Sequence, residues 1–282
     1  MFSKSGILVT GANGQLGQAL KKNSQSPNSF FYTDAASFDI TNKEQMSSVF
    51  EKLKPLVVIN TAAYTRVDQA ETEIEKAYEL NSKAVKNLSE LCVKYNCSLI
   101  HISTDYVFDG KQTIPYKETD TTNPVTVYGK GKREGELIIT KSGLQSYAIV
   151  RTSWLYSEFG HNFYKTMLRL AETKNELNVV NDQRGSPTNA NELAKALGVI
   201  ASKLNPENSG IYHFCNEGET TWYGFAKAIF NKHKLDIKVH PVSSSEFQTA
   251  AQRPAYSVLD TTKIKRVFNI EIPSWEEALE KL

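Results

Sequence analysis

Cysteine is scarce in this chain. Cys92, Cys97 and Cys215 are odd in number and contain no C-x-x-C pair. That argues against a disulfide framework or a thiolate zinc site and predicts buried, reduced thiols. The five histidines, at 101, 161, 213, 233 and 240, are scattered, so no metal site is expected of them. Net charge is only +2 and no basic block stands out, which gives nucleic acid no electrostatic footprint. No apolar run approaches the length of a membrane span. The opening Met1-Phe2-Ser3-Lys4-Ser5 leads toward a strand without the apolar stretch and cleavage site of a signal peptide, so a cytoplasmic protein is expected. Internal repeats and low-complexity segments are also missing. A chain of 282 residues suggests roughly two domains or one large one.

What is present is an alternation of strand and helix. Gly6-Ile7-Leu8-Val9-Thr10 ends in Gly11-Ala12-Asn13-Gly14-Gln15-Leu16-Gly17, and a helical stretch follows to about Asn23. Strand, glycine-rich turn and helix in that order make a phosphate cradle: glycines admit close approach, and the helix start offers free N–H groups and a positive dipole end. The spacing is G-x-x-G-x-x-G, and a tight βα turn is the simpler alternative. Ser29–Asp34 reads as a second strand ending in an acid suited to ribose hydroxyls, unless Asp34 is a turn residue. Such an acid opposes a 2′-phosphate, and no arginine lies nearby, which leans locally toward NADH. Asp39, before Ile40, is either a helix-start acid or an adenine contact, with the next helix capped at Thr41 or Asn42.

Leu56–Asn60 reads as a buried parallel strand. It empties into Thr61-Ala62-Ala63-Tyr64-Thr65, small residues past which a cofactor can lie. A long helix to about Tyr95 is expected, then a fourth strand, Ser98–Ser103, with Thr104-Asp105 at its carboxyl end, the edge where ligands bind in open α/β sheets. His101 inside that strand is most simply a core residue. In Val127-Tyr-Gly-Lys-Gly-Lys132, Tyr128 and Lys132 fall four apart, on one face of a helix. A cation beside a phenol draws its pKa from about 10 toward neutrality and makes a usable proton donor. Tyr223 and Lys227 repeat the spacing, so the pair alone decides nothing. Gly129 and Gly131 weaken a helix interior by about 1 kcal/mol each, which places Tyr128 in the first turn.

The glycines, Asn60–Thr65, Ser103-Thr104-Asp105-Tyr106-Val107-Phe108-Asp109-Gly110 and Tyr128-x-x-x-Lys132 occur in the order found in the extended short-chain dehydrogenase/reductases that act on nucleotide-linked sugars. The resemblance extends from Ile7 to about Trp275 through Arg151-Thr-Ser-Trp154, Asn181–Thr188 and Arg253-Pro254, segments similar to those of its dTDP-linked 4-keto sugar reductases. It implies a Rossmann-type doubly wound parallel sheet with a smaller C-terminal α/β substrate domain. The dinucleotide-binding part would be 1–152 with return segments near 177–215. The substrate part would be 153–282, mainly 153–176 and 216–282, with helices around Asn162–Ala171 and Trp222–Asn231.

The resemblance further implies reduction of dTDP-4-dehydro-L-rhamnose by NADPH or NADH, with Tyr128 as proton donor, Lys132 on the nicotinamide ribose and Thr104 on the reacting oxygen. Gly11, Asn13, Gly14, Gln15, Leu16, Gly17, Asp34, Asp39, Ile40, Ala62, Ala63 and Tyr64 would hold the dinucleotide. Asp105, Trp154 and Arg253 would meet the substrate. The structural alternatives are a strand-end cap for Thr104, a buried indole for Trp154 and a surface ion pair for Arg253. Related dehydratases carry Glu where this chain has Tyr106, which disfavours dehydration; an epimerase would use the same Tyr and Lys. A non-catalytic regulatory subunit of a methionine adenosyltransferase is the rival from another class. Some relatives dimerise through magnesium held by acids, one of them at the position of Gln15, although Glu192 remains here. A monomer or weak homodimer without strong magnesium dependence is therefore expected.

Overall fold

Aliphatic runs and amphipathic stretches alternate through the first half, and each becomes a strand or a helix. The computed structural model describes residues 6–24 and 29–282. The opening Met1–Ser5, read above as the lead into a strand, lies outside the described residues. The elements begin with β1 (Ile7–Thr10), α1 (Gln15–Asn23), β2 (Phe30–Tyr32), α2 (Lys43–Leu53) and β3 (Val57–Asn60). Then come α3 (Val67–Ala70), α4 (Ile74–Tyr78), a π-turn at Glu79–Lys83 and α5 (Ala84–Tyr95). The single long helix expected here is thus broken. Asn81, inside the π-turn and buried, accepts from Tyr64 N at 2.9 Å and donates to Tyr64 O at 3.0 Å, pinning the loop after β3.

After β4 (Ser98–Thr104), α6 (Val127–Lys141), β5 (Tyr147–Thr152) and β6 (Leu155–Tyr156), α7 spans Phe163–Ala171. β7 (Glu176–Val180), β8 (Arg184–Gly185), β9 (Thr188–Asn189), α8 (Ala190–Lys203) and β10 (Gly210–His213) follow. The chain closes with β11 (Thr220–Thr221), α9 (Trp222–Lys232), β12 (Lys238–Val242), α10 (Thr262–Phe268) and α11 (Trp275–Glu280).

Six strands form one parallel sheet in the order β10-β5-β4-β3-β1-β2. Successive residues point to opposite faces. Val9, Ile59, Ile100 and Val150 meet α1, α8 and α10, while Leu8, Val58, Leu99 and Ile149 meet α2 and α5. This is a doubly wound Rossmann-type sheet. From β1 the chain goes outward to β2, then returns to β3 on the other side, so a crevice opens at the carboxyl ends of β1 and β3.

A smaller α/β unit has its own core, in which Met167 of α7, Leu177 and Val179 of β7, Phe225 and Ile229 of α9 and Trp275 of α11 meet. The expected return at 177–215 divides. β7 pairs with β12 outside the main sheet because its inward side chains face α7 and α9, whereas α8 and β10 do join the larger core. Conversely α10, from the last third of the chain, packs Ile264 and Phe268 on the main sheet. All three cysteines are free and buried. Among the described residues no helix is long and apolar enough to cross a membrane.

Candidate active site

The turn after β1 has the form of a dinucleotide cradle. Gly11 sits at φ +67° with Ala62 N 2.8 Å from where a Cβ would be, so only glycine lets the β1 and β3 turns close together. A Cβ on Gly17 would lie 2.5 Å from Ala12 Cα, so this third glycine serves the packing of α1 on its own turn. No side chain caps α1 at Gly14, whereas Asn42, Thr126, Asn162 and Thr221 cap their helices. The first N–H groups of α1 are thereby left to a ligand. They face a cavity of about 1460 Å³ lined by Gly11, Asn13, Gly14, Gln15 and Leu16 on one side and by Thr104, Tyr128 and Lys132 on another. That exceeds the roughly 300–1,000 Å³ of a single-ligand pocket. Glycines, an uncapped helix start and this volume fit a dinucleotide.

Tyr128 stands in the first turn of α6, whose start is capped by Thr126 Oγ1 accepting from Gly129 N. One of the two glycines now has a reason. A Cβ on Gly129 would lie 2.2 Å from Tyr106 O, so this glycine lets α6 approach the loop after β4, whereas a Cβ on Gly131 would meet Asn81 only in ordinary contact at 3.4 Å. A buried ion pair sets the depth of the helix. Arg151 of β5 donates to both oxygens of Glu136 at 2.8 Å, and Ser103 Oγ donates to Glu136 at 2.6 Å. Both charges are buried, and their hydrogen bonds are what makes that tolerable.

The expected lowering of the Tyr128 pKa is not found. Burial pushes the phenol up to about 12, the Thr104 hydroxyl tempers this, and the Asp105 carboxylate adds to it. The cation is engaged elsewhere: Lys132 Nζ donates to Ile102 O at 2.6 Å and lies 3.2 Å from His101 Nε2. Burial in turn pulls the Lys132 ammonium down to about 8, with Glu136 opposing. Thr104 Oγ1 donates to Asp105 Oδ1 at 2.9 Å and accepts from Tyr106 N. Asp105 is buried, its Oδ2 has no partner, and burial raises its carboxyl to about 6 against the nearby Ser257 and Thr104 hydroxyls. Ser257 tempers that charge without pairing to it, since its Oγ is also buried without a hydrogen-bond partner.

On the far wall Trp154 takes a left-handed backbone, φ 45°, held by Thr188 N donating to Trp154 O. Its indole stacks on Trp222 at 3.6 Å and 8°. Trp222 Nε1 donates to Gln183 Oε1, and Ser153 Oγ donates to Ser186 O. Asn181–Thr188 thus acts as the frame of this aromatic wall, a role with no local sequence signal.

Asn13, Gln15, Asp34, Asp39, Ile40, Ala62 and Ala63 all line the cavity, as do Asp105 and Trp154. Asp34 accepts from Asn13 Nδ2 and from Ser37 N and Oγ, while Asp39 accepts from Thr41 N and Oγ1. Tyr64 does not line it: its ring packs with Ala70 and Ala77 and its hydroxyl donates to Glu73. Arg253 is also off the wall, in a two-pronged pair with Asp68 at 3.0 and 2.8 Å. Thr65, expected beside the cofactor, lines the cavity too, while sequence reasoning missed Arg66, Ser153, Gly160 and His161, which line the same space. Of these, Ser153 lies inside a recognisable segment and Arg66 directly follows one.

The RmlD substrate binding domain family model matches residues 5–282. The dTDP-4-dehydrorhamnose reductase of Aggregatibacter actinomycetemcomitans is 42% identical over 98% of this chain and 97% of its own. The crystal structure of dTDP-4-dehydrorhamnose reductase from Bacillus anthracis, in complex with NADP, superposes with TM-score 0.93 at 39% identity, covering 99% of this chain and 98% of that one. The NAD complex of UDP-glucose 4-epimerase from Thermus thermophilus, TM-score 0.82 at 17% identity over 97% and 96% of the two chains, shares the fold. The chain belongs to the dTDP-4-dehydrorhamnose reductase family.

Proposed function

We propose that the protein reduces the 4-keto group of dTDP-4-dehydro-L-rhamnose to give dTDP-L-rhamnose, with NADPH or NADH. The observation that carries this is the convergence of Thr104, Tyr128 and Lys132 on one cavity wall in a chain of this family. When bound, the dinucleotide supplies a hydride to C4. Tyr128, kept protonated at neutral pH by burial, gives its proton to the C4 oxygen as charge develops there. The Thr104 hydroxyl turns from Asp105 to the same oxygen and stabilises it. Lys132 holds the nicotinamide ribose and, when charged, steadies the phenolate left on Tyr128. Asp105 offers its unpartnered Oδ2 to a sugar hydroxyl, Trp154 walls the hexose, and Arg253 exchanges Asp68 for the diphosphate.

In this reading the main sheet with α8 and β10 holds the dinucleotide, and 153–176 with 216–282 supplies most of the sugar side. Asp34 opposes a 2′-phosphate but has its acceptors occupied by Asn13 and Ser37, so both dinucleotides are accommodated. Both ends of the Gln15 amide are also engaged, by Asn162 and Leu155 O, which supports a monomer or weak dimer indifferent to magnesium. The regulatory-subunit and epimerase readings lack comparable support. The former needs none of the Thr104, Tyr128 and Lys132 arrangement, and the latter rests on likeness of fold.

The test is turnover of dTDP-4-dehydro-L-rhamnose with each dinucleotide, beside Tyr128→Phe. Losing the hydroxyl is expected to slow turnover roughly 100-fold or more while dinucleotide binding survives. Near-normal turnover by the variant would remove Tyr128 from the donor role, and no turnover by the wild type would sink the reductase reading.

A further inference from the structure

We infer that His101 is a positioning residue for Lys132: a hydrogen-bond chain starting at a backbone amide holds it as the Nε2–H tautomer, so that it presents an N–H to the lysine and favours the uncharged amine. Thr10, Asn60 and His101 are cross-strand neighbours in one row of β1, β3 and β4. With Lys132 they are all buried. Ala62 N–H donates to Thr10 Oγ1 at 3.3 Å, and the single hydrogen of that hydroxyl goes to Asn60 Oδ1 at 2.6 Å. This orients the amide so that its Nδ2 donates to His101 Nδ1 at 3.0 Å. An imidazole that accepts at Nδ1 and is neutral carries its hydrogen on Nε2. Burial and the lysine hold His101 well below its ordinary pKa, so it is neutral.

Nε2 faces Lys132 Nζ at 3.2 Å. An ammonium has donors only and would meet that N–H head on, whereas an amine accepts it and still has hydrogens for Ile102 O at 2.6 Å. The other charges around Lys132 do not reverse this. Glu136, one turn on, is tied up by Arg151 and Arg133; Tyr128 and Asp105 lie toward the cavity, Tyr128 uncharged at neutral pH. Glu79 and Lys83 on the π-turn pair with each other. The bearing on turnover rests on the role proposed above for Lys132. If the charged lysine steadies the phenolate, His101 sets the basic limit of activity below that of an ordinary lysine.

The test is long-range ¹⁵N correlation on ¹⁵N-histidine protein, without substrate. His101 is assigned by loss of its signals in His101→Asn or, should that variant not fold, by elimination through the other four histidines. Nδ1 unprotonated and Nε2 protonated from about pH 6 to 9 is the expected pattern; an Nδ1–H tautomer or an imidazolium would overturn the inference. Asn60→Asp presents only acceptors. It should switch His101 to Nδ1–H and raise both the Lys132 ¹³Cε titration and the basic limb of kcat/KM by about one pH unit or more. A raised titration without the tautomer switch would mean an added charge and nothing else, and would also overturn the inference. Should Asn60→Asp not fold, the wild-type tautomer decides. An inactive wild type with the expected tautomer would remove the reductase reading alone.

Discussion

Asp105 is the residue whose surroundings conflict most with its chemistry. A carboxylate next to Thr104 would ordinarily be ionised from pH 4 upward, yet burial raises it to about 6 and leaves Oδ2 without a partner. The folded chain therefore keeps a proton that the unfolded chain gives up between an ordinary 3.8 and about 6. The stability owed to this group is full in acid and is lost as pH rises through that window. Asp105→Asn, neutral at every pH, should match the wild type near pH 4 and exceed it at pH 7.5, by up to about 3 kcal/mol. Urea unfolding of both proteins at the two pH values checks this, and a difference independent of pH would refute it. Because Oδ2 is assigned to the sugar, the same variant should lose kcat/KM, a gain of stability at the expense of the site. Thr104 and Asp105 are legible in the sequence as residues at a strand's carboxyl end. Their protonation is not, because it is set by burial in the folded chain and by groups far along the sequence, such as Ser257, that oppose it.

At the scale of elements, α6 and the aromatic wall illustrate two kinds of legibility. The start of α6, the four-residue spacing of Tyr128 and Lys132 and the position in the first turn follow from local pattern, and the structure agrees. The direction of the tyrosine's pKa shift does not follow from that spacing, since Lys132 is drawn to the β4 backbone instead. Trp154 is legible only as a candidate. Its stack on Trp222 brings β8, β11 and the start of α9 together around Gly185, where a Cβ would lie 2.5 Å from the Trp154 ring. An indole stacked on Trp222 cannot yield by rotating a flexible end. Gly185→Ala should therefore displace it and raise KM for the nucleotide sugar about tenfold, equivalent to ~1.4 kcal/mol of lost contact, with dinucleotide affinity unchanged. Parallel KM and dinucleotide Kd measurements check the split; an equal loss in both would mean general disruption.

For the whole molecule, the cavity lies between the main sheet and the smaller unit, and Arg253 joins the two through Asp68. The pair is partly exposed, the kind that contributes about 0–1 kcal/mol. Arg253→Ala should leave the thermal midpoint within a few degrees while raising KM for the dTDP-sugar at least tenfold, if the guanidinium moves to the diphosphate. Calorimetry and steady-state kinetics separate these effects, and an unchanged KM would return Arg253 to a structural role. The Rossmann sheet and the glycine cradle could be read from the chain because their signals are local: apolar runs and glycine spacing act within a few residues, whereas Thr104, Tyr128 and Lys132 stand out only by their order in the family, since Tyr223 and Lys227 repeat the spacing. The broken helix before α5, the turning away of Tyr64, the Trp154–Trp222 wall and the hydrogen bonds that surround Lys132 could not. Each depends on groups brought together from distant positions and on the exclusion of water, and neither is encoded in any short stretch of sequence.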